Sequence, residues 1–169
     1  MSSRIVNRPL AVAELAAVSA LHAEVFGPGR FARTAYRVRE RSAPISPFCR
    51  GAFTADGRLI AALRLTEIII GEAHNKGALL LGPLAVDPTY AGQGHGRGLV
   101  AEALAAAKDA GIGLVLLVGD EPYYGRLGFA PVPPGQITLP GPVDPRRLLA
   151  AELAPGTLAD ARGLVRRRS

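Results

Sequence analysis

The chain has 169 residues, of which 49% are hydrophobic and 20% charged, with one cysteine, no tryptophan and a formal charge of +6. That length predicts a single domain, and the apolar content excludes disorder as a global state. Cys49 stands alone, which excludes a disulfide scaffold and agrees with a reducing cytosol.

Asn7-Arg8-Pro9 predicts the opening of a first helix, with Val12, Leu15, Ala16 and Val25 as its core face. Phe26-Gly27-Pro28-Gly29 ends it. A second helix is expected from Phe31 to Arg41, before Pro44 and Pro47. Arg30, Arg33, Arg37 and Arg41 share one stripe, either a solvated face or the rim of an anionic-substrate site. Phe48 to Ala55 and Leu59 to Ile70 read as strands joined by the hairpin signal Asp56-Gly57. Gly71 to Gly77 reads as a polar turn and Ala78 to Val86 as a third strand. The period then changes: Leu99, Val100, Ala103, Leu104 and Ala107 recur at helical spacing from about Gly96 to Ala110. Ile112 to Val118 is a buried strand by composition. A short helix is expected from Glu121 to Leu127, then a strand around Phe129.

Beyond Pro131 six prolines make the segment 131–169 loop-rich, and propensity leaves Arg147 to Leu153 open between helix and strand. Neither repeat nor linker divides residues 1–169. Hairpins followed by a strand–helix–strand crossover predict a mixed sheet flanked by helices. The basic excess is almost all arginine, with only Lys76 and Lys108 as lysines. Arg166 to Arg168 account for three of the six excess charges and read as a solvated tail. No apolar run is long enough for a spanning helix. No export signal is read at the N-terminus, so the expected location is cytoplasmic. The arginines lack interleaved aromatics, and nucleic acid is not an expected partner.

The chemistry concentrates in Leu84-Ala85-Val86-Asp87-Pro88-Thr89-Tyr90-Ala91-Gly92-Gln93-Gly94-His95-Gly96-Arg97-Gly98. Four alternate glycines between a strand and a helix put backbone N–H groups and a helix N-terminus around one concavity. That arrangement suits phosphate, with Arg97 able to add a charge-assisted hydrogen bond. A Walker loop would need lysine followed by serine or threonine after the glycines. Gly96-Arg97-Gly98-Leu99-Val100-Ala101 reads G-x-G-x-x-A, but nine residues, Asp87 to His95, separate it from the strand, too many for a dinucleotide turn.

Gln93-Gly94-His95-Gly96-Arg97-Gly98 resembles the Q-x-x-G-x-G signature of the GCN5-related N-acetyltransferases, the GNAT family. Leu84-Ala85-Val86-Asp87-Pro88 resembles that family's L-x-V-x-P strand end, and Tyr124-Gly125-Arg126-Leu127-Gly128-Phe129 its Y-x-x-x-G-F segment. These motifs span residues 79–129. Val118 to Tyr124 and Leu139 to Val143 are closer still to the YhbS-like branch. The resemblance implies the acyl-CoA N-acyltransferase fold: a mixed, mostly antiparallel sheet of six to seven strands, with two parallel strands splayed at the cofactor. It also makes Leu148 to Leu153 a strand. By the same resemblance, Leu84, Ala85 and Val86 pair with the pantetheine of acetyl-CoA, and Gln93, Gly94, His95, Gly96, Arg97 and Gly98 hold its pyrophosphate. The implied reaction is acetyl transfer to an amine of a small molecule or peptide, with no metal. The alternative is a non-catalytic acyl-CoA-binding module. The Leu84 N–H becomes the oxyanion donor and Tyr124 the general acid, with Tyr123 its rival. Glu67, His74, Asp120 and Glu121 remain candidates for the base. The acceptor rim is expected over Phe26 to Tyr36 and near Glu72. His95 reads as a loop side chain, His22 as packed or solvated, and Cys49 as an inert buried thiol. A homodimer is compatible with the resemblance.

Overall fold

A computed structural model describes residues 4–27, 45–71 and 77–168. The strands are β1 (Val6–Pro9), β2 (Arg50–Phe53), β3 (Leu59–Ile70), β4 (Gly77–Val86), β5 (Ile112–Val118), β6 (Ala130–Pro131), β7 (Ile137–Thr138), β8 (Leu148–Glu152) and β9 (Gly163–Arg167). The helices are α1 (Leu15–Phe26), α2 (His95–Asp109), α3 (Glu121–Tyr124) and α4 (Thr157–Asp160). Among the described residues the sheet is mixed and mostly antiparallel, as expected, with a main path β1-β2-β3-β4-β5-β8-β6 of seven strands, and β9 and β7 extend it from β3 to nine. Only β4–β5 and β7–β9 are parallel among the described residues.

The sheet is buried on both faces. On one, Leu99, Val100, Ala103 and Ala107 of α2 pack on Leu63, Leu65, Leu79, Leu81, Val115 and Leu117. The opposite face is divided. Val18 and Leu21 of α1 cover Ala62 and Ala85, while Val132, Leu139 and Val165 of the C-terminal third cover Ile68, Leu80 and Leu116. This two-sided burial explains why β3 to β5 read as apolar runs rather than as alternating strands.

The two ends of the chain depart from the sequence expectations. Asn7-Arg8-Pro9 lies in β1 and pairs with β2 through Asn7↔Ala52, Arg8↔Gly51 and Pro9↔Arg50. The edge tolerates Pro9 because its missing N–H has no second neighbour to serve. Arg8 stacks over Phe53 at 3.8 Å and pairs with Glu14 at 2.5 Å, which closes the chain into the turn before α1. The delayed helix start turns a different face inward. Val18, Leu21 and His22 are buried, Leu15 and Val25 half-buried, and Val12 and Ala16 exposed. At the other end Arg166 and Arg167 lie in β9, antiparallel to β3, with Val165↔Ile70, Arg166↔Ile69 and Arg167↔Ile68. Arg168 follows, its N–H donating to the Glu67 carbonyl at 3.0 Å. The terminal arginines are therefore part of the sheet rather than a tail. Val165, 1% exposed, fixes the strand by burial against the face that also holds Ile68 and Ile70.

Candidate functional site

β4 changes its surroundings midway. Ala78 to Leu81 pair with β3 on one side and with Leu114 to Leu117 of β5 on the other. The register with β3 then slips, from Leu81↔Leu65 to Leu84↔Leu63, so Gly82 and Pro83 together oppose Arg64. This is a β-bulge, with Gly82 at φ 128 and the Gly82-Pro83 peptide cis. Past it, β4 stays with β3 through Leu84↔Leu63, Ala85↔Ala62 and Val86↔Ala61, while its pairing with β5 has ended at Leu81↔Leu117 and β5 keeps β8 on its other edge up to Val118↔Leu148. The two parallel strands thus splay apart.

The Asp87 N–H donates to the Ile60 carbonyl at 2.8 Å. By the alternation of an antiparallel ladder, the Ala85 N–H also points to β3, and those of Leu84 and Val86 point into the splay. The Leu84 and Val86 side chains lie on the α2 face, half-buried against the main core, whereas Ala85 is buried under α1.

The glycine turn stands at the mouth of the splay. Asp87 caps the turn Pro88–Tyr90 by accepting the Thr89 N–H at 2.9 Å, and Arg58 of the β2–β3 hairpin clasps it at 2.8 Å. The Thr89 N–H, with help from Arg58, holds the Asp87 carboxyl below the usual carboxylate range against the opposing effect of burial. Gly92 and Gly94 take φ of 76 and 84, and Gly94 is the N-cap of α2. The first N–H groups of a helix have no intrahelical partner, so those of the first turn of α2 are presented at its N-terminus. Gly96 is buried for a local reason: a Cβ there would stand 3.0 Å from the Tyr123 hydroxyl, 3.3 Å from Leu84 Cδ2 and 3.4 Å from Val86 Cγ2. Glycine spacing found this turn, but the contact with Tyr123 across two elements has no sequence signal. Gln93 and Arg97 are exposed, Gly98 packs near Asn7 of β1, and the His95 ring stands edge-on to Tyr90 with Nε2 3.3 Å from Gln93 Oε1.

The paired tyrosines close the far side. Both N–H groups donate to the Asp120 carbonyl, and the rings meet edge to face at 4.8 Å. Tyr124 lies over Gly119, where a Cβ would come within 2.6 Å of its ring, and stands edge-on to Phe129. Burial above all, with Tyr123 and Asp120 adding to it, pushes the Tyr124 phenol up to about 12, so it stays protonated at neutral pH. Tyr123 is 39% exposed, and burial raises it too, opposed by the charge of Arg97. The structure therefore brings Leu84, Val86, Gly96 and Tyr123 together, with Tyr124 behind them at the end of β5.

Of the other candidates, Asp120 and Glu121 adjoin the tyrosines, at the cap and first residue of α3, with exposed side chains, Asp120 pairing with Arg147 at 3.4 Å, whereas Glu67 is exposed on β3. Cys49 is 1% exposed and accepts the Leu65 N–H, which agrees with an inert thiol. His22 is buried, edged by Phe26. His74, Glu72, most of the Phe26 to Tyr36 rim and the predicted second helix with its arginine stripe lie outside the described residues. Among the described residues no three of His, Cys, Asp and Glu converge as metal ligands, and no helix is long and apolar enough to cross a membrane.

The model of the acetyltransferase (GNAT) domain matches residues 7–132. The chain belongs to the GNAT family. The N-acetyltransferase YhbS of Escherichia coli (strain K12) is 45% identical over 49 residues, 29% of this chain and 29% of YhbS, so the chain spans under a third of the curated relatives it matches. Among solved structures, E. coli YhbS in complex with CoA superposes with a TM-score of 0.83 at 24% identity, over 99% of this chain and 92% of that one. A GNAT acetyltransferase from Brucella melitensis in complex with acetyl-CoA gives 0.75 at 23% identity, over 99% and 98%. The GNAT fold accounts for the order of the elements, with the glycine turn following the strand that splays.

Proposed function

We propose that the protein is a cytoplasmic N-acetyltransferase that moves the acetyl group of acetyl-CoA directly onto a primary amine of a small molecule or peptide. The observation that carries this reading is the open side of β4 next to the glycine turn. Outward N–H groups in a row, ending at a helix N-terminus, suit an amide-bearing pantetheine arm followed by a pyrophosphate. The relatives solved with CoA and acetyl-CoA share the fold and add support.

In this reading Leu84, Ala85 and Val86 line the arm, and Gln93 to Gly98 hold the pyrophosphate with Arg97 at its edge. Gly96 fits the role, because a side chain there would fill the space shared by Tyr123, Leu84 and Val86. The bound cofactor supplies an acetyl group activated as a thioester. The Leu84 N–H, just past the bulge, donates to the carbonyl oxygen as charge gathers on it. Tyr124 keeps its proton on Oη until the C–S bond breaks and then gives it up to the departing sulfur. The proton that the attacking nitrogen loses on becoming an amide passes through solvent to restore the phenol. The burial that makes the phenol a weak acid also makes a desolvated thiolate a stronger base, which narrows the mismatch.

The test is equilibrium binding of acetyl-CoA, followed by thiol release with amines, amino acids, polyamines and peptide N-termini. Binding and release are both expected. No binding at micromolar protein overturns the proposal, and binding without release across the panel marks an acyl-CoA-binding module instead.

A further inference from the structure

The two adjacent tyrosines are held in different ways. Tyr124 packs against the main core, over Gly119 and beside Phe129. Tyr123 is exposed and stands outside that core, so burial of its ring does not account for its position.

Its backbone lies on α3, beyond the end of β5, while the tip of its side chain lies across the splay. The hydroxyl, Leu84 Cδ2 and Val86 Cγ2 stand 3.0, 3.3 and 3.4 Å from one point, the place of a Cβ on Gly96. Leu84 and Val86 are the β4 residues whose N–H groups turn into the splay, and their side chains are on the α2 face. The Tyr123 side chain therefore crosses from the β5 side to the β4 side, over the splay on that face. Glycine at position 96 permits the crossing, since any side chain there would compete with the hydroxyl for space.

The open half of β4 has no strand on its second edge. A chain-like molecule that pairs with the N–H groups of Leu84 and Val86 lies in the plane of the sheet, one strand spacing of ~4.8 Å from β4. Tyr123 then stands over that molecule on the α2 face. A tyrosine suits such a place, because its flat ring covers apolar surface at the cost of fixing only two torsions.

We propose that Tyr123 is a cofactor-binding residue, a bar across the splay that covers the pantetheine arm of acetyl-CoA and keeps it against β4. The inference rests on the acetyltransferase reading and divides the work of the two tyrosines. Tyr123 holds the cofactor, and Tyr124 serves the departing sulfur.

Isothermal titration calorimetry of CoA with the full chain tests it, with thiol release measured alongside. In Y123A the Kd for CoA and the KM for acetyl-CoA should rise about tenfold, with kcat within about threefold and the melting curve unmoved. Y123F keeps the ring and loses at most one neutral hydrogen bond, so its Kd should stay within about threefold of the wild type. ADP carries the pyrophosphate without the arm, and should bind Y123A and the wild type alike. Should Y123A fail to fold by circular dichroism, Y123L replaces it, since leucine is too short to reach Gly96. An unchanged Kd for CoA in the variant overturns the inference, and so does an equal loss for ADP, which would place the effect at the glycine turn. A kcat lowered more than about tenfold in Y123F makes Tyr123 the proton donor and overturns it too. A wild type that binds no CoA overturns the acetyltransferase reading as well.

Discussion

The two halves of β4 are similar in composition and opposite in use. Ala78 to Leu81 have neighbours on both sides and are at most 3% exposed. Leu84 and Val86, equally apolar, keep only β3, are half-buried, and aim their N–H groups into the splay. Two residues that the ladder cannot accommodate, Gly82 and Pro83, separate them. Hydrophobicity alone does not distinguish structural strand from site; the pairing on the second edge does. The closed half holds the sheet together, and the open half leaves a place for another chain-like molecule.

If this division is right, changes around the open half remove activity and leave stability, and changes in the closed half do the reverse. The largest effect is expected for Tyr124→Phe, which removes the proposed proton donor at the end of the splay. Its kcat for thiol release should fall by about 10²- to 10⁴-fold with little change in acetyl-CoA affinity or in the melting curve. A fall of less than tenfold would move the proton donor elsewhere, with Tyr123 the next residue to test. In the closed half, Leu79→Ala empties a site that is 0% exposed under α2. It should cost about 2–5 kcal/mol of stability by denaturant titration. Circular dichroism is the probe, since the chain has no tryptophan. The folded fraction should keep its affinity for acetyl-CoA within about twofold. A selective loss of cofactor binding in Leu79→Ala would erase the distinction between the halves.

How far each region was legible follows from the range of the interactions that build it. β3, β4, α2 and β5 were readable to within about a residue, because burial on both sheet faces and helical spacing are local patterns. The glycine turn was readable because its constraint lies in consecutive residues. β1 was misread because Pro9 carries the same local sign at a helix start as on an edge strand, and only the partner Arg50 decides between them. β9 was missed for a similar reason. A run of arginines signals solvation, yet Val165 finds a buried place and Arg166 and Arg167 pair with Ile69 and Ile68, nearly a hundred residues away. The alternation Leu164 exposed, Val165 buried, Arg166 exposed was the one available hint.

The mouth of the open half has its own fastening, and it titrates. Asp87 joins three things: the end of β4 through its N–H to Ile60, the turn into the glycine loop through Thr89, and the β2–β3 hairpin through Arg58. Its carboxyl is held below the ordinary value of ~3.9, so the folded state binds a proton there less readily than the unfolded chain does. The stability this contributes is complete above that ordinary value and is lost as pH falls through the lower folded value. Glu14, Asp56 and Asp144 are shifted the same way, so the acid limb of the melting temperature is shared among them. Asp87 differs in being almost fully enclosed, with its side chain 5% exposed against 18% for Glu14 and 41% for Asp144. Asp87→Asn should therefore lower the melting temperature at pH 7 by about 2–4 °C. It should also flatten its decline below about pH 4, whereas Asp144→Asn should leave that decline nearly unchanged. Equal acid limbs for the wild type and Asp87→Asn would mean that the hairpin and the glycine turn hold together without the charge.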